Sequence, residues 1–141
     1  MEAEALLLIG IVIVFILAIL TVFILFLLNL QKTLNACLQE NRAMEPGLVW
    51  INLIPLFSMF WMIWTVIKIR DSLQKEYEAR SLDTTEVTNT YNMGLVYGIL
   101  SAGGIIIQFI PVIGIISSIA TLVFMILYWV KISGCRKTLS S

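Results

Sequence analysis

Residues 91–130 pass 40 positions without one Asp, Glu, Lys, Arg or His. Residues 5–30 and 48–67 are equally free of charge. These runs fill more than half of a 141-residue chain, too much to hide in a core of its own making. A helix of ~20 apolar residues crosses the ~30 Å hydrocarbon layer of a bilayer, and the runs hold enough residues for four crossings. The sequence therefore predicts an all-α, polytopic membrane protein. Its four transmembrane helices are expected at about 5–30, 48–68, 91–110 and 111–132, with polar connectors at about 31–47 and 69–90. Residues 1–141 form a single bundle in this reading, and helices 1 and 2 extend beyond the bilayer.

The balance of residue types agrees. Sixty per cent are hydrophobic and 13% charged, which excludes an ordinary soluble domain. Nine basic and nine acidic residues cancel, so nucleic acid is not an expected partner. The start, Met1-Glu2-Ala3-Glu4, lacks the basic n-region of a secretory signal, and its apolar run is roughly twice a signal's 7–15 residues. Leu34-Asn35-Ala36-Cys37 imitates a lipoprotein cleavage box but comes late, after Lys32, and reads better as helix.

Helix 1 is expected to run on past Leu30, because Leu34 and Leu38 keep a four-residue spacing, and to end at Pro46-Gly47. From Pro55 to Ile67 is only ~20 Å of helix, too short to cross, so residues 48–54 must also lie in or at the membrane. Pro55 then either kinks one helix or joins two segments. Beyond Lys68, Asp71 with Lys75 and Glu76 with Arg80 form acid-before-base pairs at i,i+4, the mark of a solvated helical extension. Asp83-x-x-Glu86 resembles a capping pair at the start of helix 3. Pro111 suits the first position of helix 4, so helices 3 and 4 should form a tight antiparallel hairpin.

With four crossings, the N-terminus, the 69–90 connector and the C-terminus share one side. That side carries seven of the nine basic residues, and basic residues resist translocation. Both termini are therefore expected in the cytoplasm, although helix 1 alone argues the reverse. Cys37 and Cys135 would then sit on opposite faces, unable to pair. Trp61, Trp64, Tyr128 and Trp129 would form an inner aromatic belt, with Trp50 marking the outer surface.

Chemistry inside the spans is sparse. The polar residues there, such as Asn52, Thr65, Ser101, Gln108 and Ser117, carry no charge. Proton relays, ion-coupled pumps and voltage sensors place ionisable groups within the membrane, so those mechanisms are disfavoured. Without histidine there is no imidazole base, haem ligand or His-bound zinc. No catalytic site, metal or cofactor is expected, and Glu76, Glu78, Asp83 and Glu86 read as a solvated face. The sharpest motif is Gly94-x-x-x-Gly98-x-x-x-Ala102, a row of small residues that lets helix backbones approach closely. Gly114 and Ser118 offer a matching face on helix 4. The row packs either on its own hairpin mate or on another chain, and the first is preferred.

The run Asn41-Arg42-x-Met44-x-Pro46-Gly47-x-Val49-Trp50-x-x-Leu53-Ile54-Pro55-x-Phe57 is followed by Trp61, Val66 and Ser72-Leu73-x-x-Glu76. It resembles a stretch in small multi-span proteins of unknown function from Bacteroidetes-type bacteria. The resemblance implies a bacterial inner-membrane setting and supplies no catalytic or binding residue. It marks Asn41, Arg42, Pro46, Gly47, Trp50 and Pro55 as the first place to look for function; otherwise they form a helix-terminating turn at the outer surface. The expected role is that of an accessory or scaffolding subunit that binds other membrane proteins or itself. The alternative is a small oligomeric channel or transporter.

Overall fold

The computed structural model describes residues 1–54 and 56–140, and of residue 105 the backbone alone. The described residues are almost entirely helical. α1 spans Glu2–Ala36, α2 Ser58–Ala79, α3 Thr85–Ile107 and α4 Pro111–Ser140. Two 3-10 segments, Gln39–Asn41 and Pro46–Leu53, lie between α1 and α2. By length and composition, α1 and α4 are long and apolar enough to cross a membrane. The expected kink or joint at Pro55 lies outside the described residues.

α1 begins with Glu2 and Glu4 in its first turn, where acids complement the helix dipole. Its side chains are exposed as far as Val22, and burial starts only at Phe23. α3 and α4 meet as the expected antiparallel hairpin. Tyr128 packs at Gly94, and Thr90 meets Cys135 at 3.4 Å. Pro111 opens α4, as its missing N–H permits. α1 lies parallel to α4, with Phe26 against Tyr128 and Trp129, and Asn29 bonded to Ser133 and Arg136. α2 runs antiparallel to α3, since Ile63 meets Gly98 while Arg70 stacks on Tyr91.

The main departure concerns residues 48–68, expected as one crossing. They are a hairpin instead. The chain leaves α1, runs back through the Pro46–Leu53 segment, turns, and returns as α2 in the direction of α1. Leu38 N–H bonds to Glu76, Ala43 N–H to Ser72, and Asn52 to Thr65, so the two arms lie antiparallel along their length. Bonds within the hairpin support the return. Pro46 starts a 3-10 segment whose carbonyls are taken within the hairpin: Leu48 O accepts the Trp61 indole at 2.9 Å and Val49 O the Asn52 amide at 2.9 Å. A lone crossing helix would leave these side chains without partners.

Three further expectations change with it. The 31–47 connector does not lie across the bundle from the 69–90 connector; both are at one end, with the C-terminus. Trp50 is there too, donating its indole to Gln31 at 3.0 Å, so it does not mark an opposite surface. Tyr128 is 1% exposed in the core and belongs to no belt.

Candidate functional site

The polar end is built around one carboxylate. Glu76, expected on a solvated face, is 0% exposed. Its Oε2 accepts Leu38 N–H at 2.9 Å, from the chain just beyond α1, and the Asn41 side-chain amide at 2.7 Å. Its Oε1 accepts Arg80 Nε at 2.9 Å. Arg80 also donates to Leu139 O, one of the last carbonyls of α4, at 2.6 Å. A single acid thus ties the end of α1, the 39–41 turn, α2 and α4 together. Burial alone would raise its pKa. The bonds from Asn41, Leu38 and Arg80, with the Arg80 charge, outweigh burial and hold the carboxyl below its ordinary value.

Arg42 does for α1 what Arg80 does for α4. Its Nε donates to Leu34 O at 2.9 Å and Cys37 O at 3.1 Å, and a second nitrogen reaches Asn35 O at 3.1 Å. A cation on the open carbonyls of a helix C-terminus satisfies both hydrogen bonding and the dipole. Pro46 is buried beside them, and Trp50 closes on Gln31. Gly47 is exposed, and a Cβ there would meet nothing within 4 Å, so this glycine makes no close approach.

Asn41, Arg42, Pro46 and Trp50 therefore meet α1 and α2 in one strap, joined by Ser72 and Glu76. Sequence reasoning gave Glu76 to solvent because an i,i+4 partner is the usual sign of a surface pair. The signal available was that Asn41, Ser72 and Glu76 stood in the same motif. Of the two expected pairs, Glu76–Arg80 forms at 2.9 Å, whereas Asp71 pairs with Arg70 at 2.9 Å. Asp83 caps α3 two residues ahead, accepting Thr85 N–H at 3.0 Å, and its carboxyl is held below the ordinary range by Thr85.

Both cysteines sit at this same end, contrary to the expected separation. Cys37 is buried within electrostatic reach of Glu76, Arg42 and Arg80. Burial, then the Glu76 charge, pushes its thiol up to about 11. Tyr77 donates to Cys135 O at 2.8 Å, and burial leads the causes that push its phenol up to about 12. A thiol held this far from its thiolate is a poor nucleophile. Among the described residues, no cluster of three His, Cys, Asp or Glu could hold a metal ion.

The small-residue row is used inside the chain. A Cβ on Gly94 would lie under 3.0 Å from the Tyr128 ring on α4. One on Gly98 would sit 3.0 Å from Ile63 on α2, and one on Gly114 3.1 Å from Gln108 at the hairpin turn. Ala102 is half-buried, and Ser118 is exposed, its hydroxyl bonded back to Gly114 O.

Compared with known proteins, the chain matches no family model, no curated protein and no solved structure.

Proposed function

We propose that the chain is a non-enzymatic accessory or scaffolding subunit of a bacterial inner membrane, holding another membrane protein at the tip of its hairpin. The observation that carries this reading is the tip itself. Leu53, Ile54, Leu56, Phe57 and Phe60 are apolar and exposed, Leu56 to 79% and Phe60 to 75%. They stand on or beside backbone that is not α-helical. Non-helical backbone at membrane depth persists where protein covers it, because lipid offers it no hydrogen bonds. A pore would need polar groups at such a tip, and these side chains are apolar, which favours a docking role over a channel.

The threading that goes with this reading has three crossings, α1, α3 and α4, and one re-entrant hairpin. All nine Lys and Arg then lie beyond one membrane face, and Glu2 and Glu4 lie beyond the other. The positive-inside rule sets the basic face in the cytoplasm. The C-terminus is cytoplasmic and the N-terminus is not, which also removes the disagreement of helix 1.

The threading is tested with single thiols in a chain carrying Cys37→Ser and Cys135→Ser. Glu4→Cys and Ser140→Cys should react with a membrane-impermeant maleimide from opposite sides of sealed vesicles; reaction from the same side restores four crossings. The role is tested with a photo-crosslinking residue at Leu56. A discrete protein adduct in native membranes, without ion flux from the purified chain in liposomes, supports docking. Lipid adducts alone, accompanied by flux, overturn it in favour of a channel.

A further inference from the structure

We propose that the seam between α1 and α4 at the polar end binds an anionic phospholipid, its phosphate on Arg136 between Lys32 and Lys137. The inference rests on the reading above in which α1 and α4 cross the membrane with their basic ends in the cytoplasm.

The cations of this chain are not neutralised alike. Arg70, Arg80 and Lys131 each meet a carboxylate, at 2.9, 2.9 and 3.5 Å. Arg42 is held by the last carbonyls of α1. Lys68 lies over the Trp64 ring at 4.3 Å, and Lys75 shares a shallow depression with Asp71 and Glu78. Lys32, Arg136 and Lys137 are left, and among the described residues none of them forms an ion pair. The sequence supplies the reason: α1 carries no acid after Glu4, and α4 carries none at all.

These three collect at one seam. α1 and α4 run parallel, and Asn29 accepts from the Ser133 hydroxyl at 3.2 Å. Lys32 lies three residues past Asn29, and Lys137 four past Ser133, so each stands about 5–6 Å further along its helix. Those spacings keep each lysine on the face of the contact residue, and both lysines are exposed. Arg136 is half-buried and pinned. Its Nη1 donates to Asn29 Oδ1 at 2.6 Å and to Asn29 O at 3.3 Å. Both acceptors are neutral, so they fix the guanidinium without offsetting its charge. Its other nitrogens have no partner among the described residues. A fixed planar fork with unused donors matches the oxygens of a phosphate.

What lies deeper selects a lipid over an acidic protein segment. The same two faces continue into the membrane as Leu25 on α1 and as Ile126 and Val130 on α4, which are 48%, 48% and 65% exposed. Trp129 stands beside them, packed on Phe26 at 5.9 Å, and tryptophan favours the headgroup boundary. A cationic rim above an apolar trough complements an amphiphile with a negative head. A zwitterionic head brings its own cation into a site that already holds three.

The test titrates the full chain, in mild detergent, with phosphatidylglycerol or phosphatidylcholine and counts bound lipid by native mass spectrometry. Phosphatidylglycerol should bind about tenfold more tightly. Arg136→Gln should abolish that preference. Lys32→Gln with Lys137→Gln, two exposed positions outside the packed core, should reduce it about threefold or more. Lys68→Gln with Lys75→Gln removes the same charge from α2 and should leave it within about twofold. An equal fall in that control overturns the inference in favour of bulk charge attraction. Equal affinity for the two lipids also overturns it, and both results leave the membrane reading standing. Displacement of phosphatidylglycerol by millimolar inorganic phosphate assigns the site to the free anion and overturns the lipid. A chain that stays soluble without detergent and takes up neither lipid overturns both readings.

Discussion

The two ends of this molecule are held together by different forces. At the polar end, Glu76, Arg80, Asn41 and Arg42 link α1, α2 and α4 through hydrogen bonds of 2.6–3.1 Å. At the other end α1 runs from Glu2 to Val22 without a buried side chain, while α3 stays packed on α4 and, through Gly98 and Ile63, on α2. The contrast is what a membrane setting would produce. In water apolar helix faces are driven together; in hydrocarbon they gain little by meeting, and association falls to close packing and polar contacts. The strap therefore anchors the fold, and α1 beyond Phe23 contributes little to it.

Breaking the strap should produce the largest effect. Glu76→Ala leaves Leu38 N–H, the Asn41 amide and Arg80 without their acceptor. Loss of one partner of a buried ion pair costs roughly 3–5 kcal/mol; with Arg80 38% exposed, about 3 kcal/mol is expected. Equilibrium unfolding in mild detergent measures it, and a loss below 1 kcal/mol would mean that the strap does not anchor the fold. The same acid sets a pH dependence. Its folded pKa is lowered, so its contribution is complete above the ordinary carboxylate range and is lost as pH falls through the folded value. Unfolding followed from pH 7 to pH 3 should steepen for the native chain and flatten for Glu76→Gln. Asp83, also lowered, titrates in both and cancels from the comparison.

Next in size is the buried packing of α3 on α4 in the middle of the bundle. Gly94→Ala drives a methyl into the Tyr128 ring, which is fixed by Phe26 and 1% exposed. Overpacking of this kind costs roughly 1–3 kcal/mol. If Gly94→Ala instead leaves stability unchanged but alters the oligomer bands from crosslinked membranes, the row faces another chain. A smaller loss, about 1 kcal/mol, is expected for Trp61→Phe, which removes the indole bond to Leu48 O and frees one hairpin carbonyl. Its readout is proteolysis near residues 48–54, which should become faster.

Much of the far end was legible in the sequence, and much of the polar end was not. The charge-free runs gave the all-α class, and Pro111 gave the α3–α4 hairpin. The glycine spacing marked a close approach, but only Gly94 meets α4, whereas Gly98 meets Ile63 of α2. The return of the chain between α1 and α2 was hidden because Pro46-Gly47 and Pro55 in an apolar run fit a crossing as well as a return. The choice is made by contacts 35 and 38 positions apart, Asn41 and Leu38 to Glu76. Hydropathy carries no trace of them. Reading Glu76 as solvated misplaced the site for the same reason: an i,i+4 salt bridge looks alike on a surface and in a knot until a third partner is known.

The smallest effect sharpens the comparison most cleanly, because it sets one helical glycine against another. Gly134 lies in α4 at the polar end, exposed, and a Cβ there meets nothing within 4 Å. Its backbone has no positive φ to preserve. Gly134→Ala should therefore stabilise the chain by about 0.5–1 kcal/mol, the ordinary gain in helix propensity over glycine. Gly94→Ala makes the same chemical change in a helix and should go the other way. Equal shifts in the two variants, measured side by side by detergent unfolding, would mean that backbone propensity governs both sites. Opposite shifts mean that, where α3 packs on α4, stability is set by what a side chain touches and not by helix propensity.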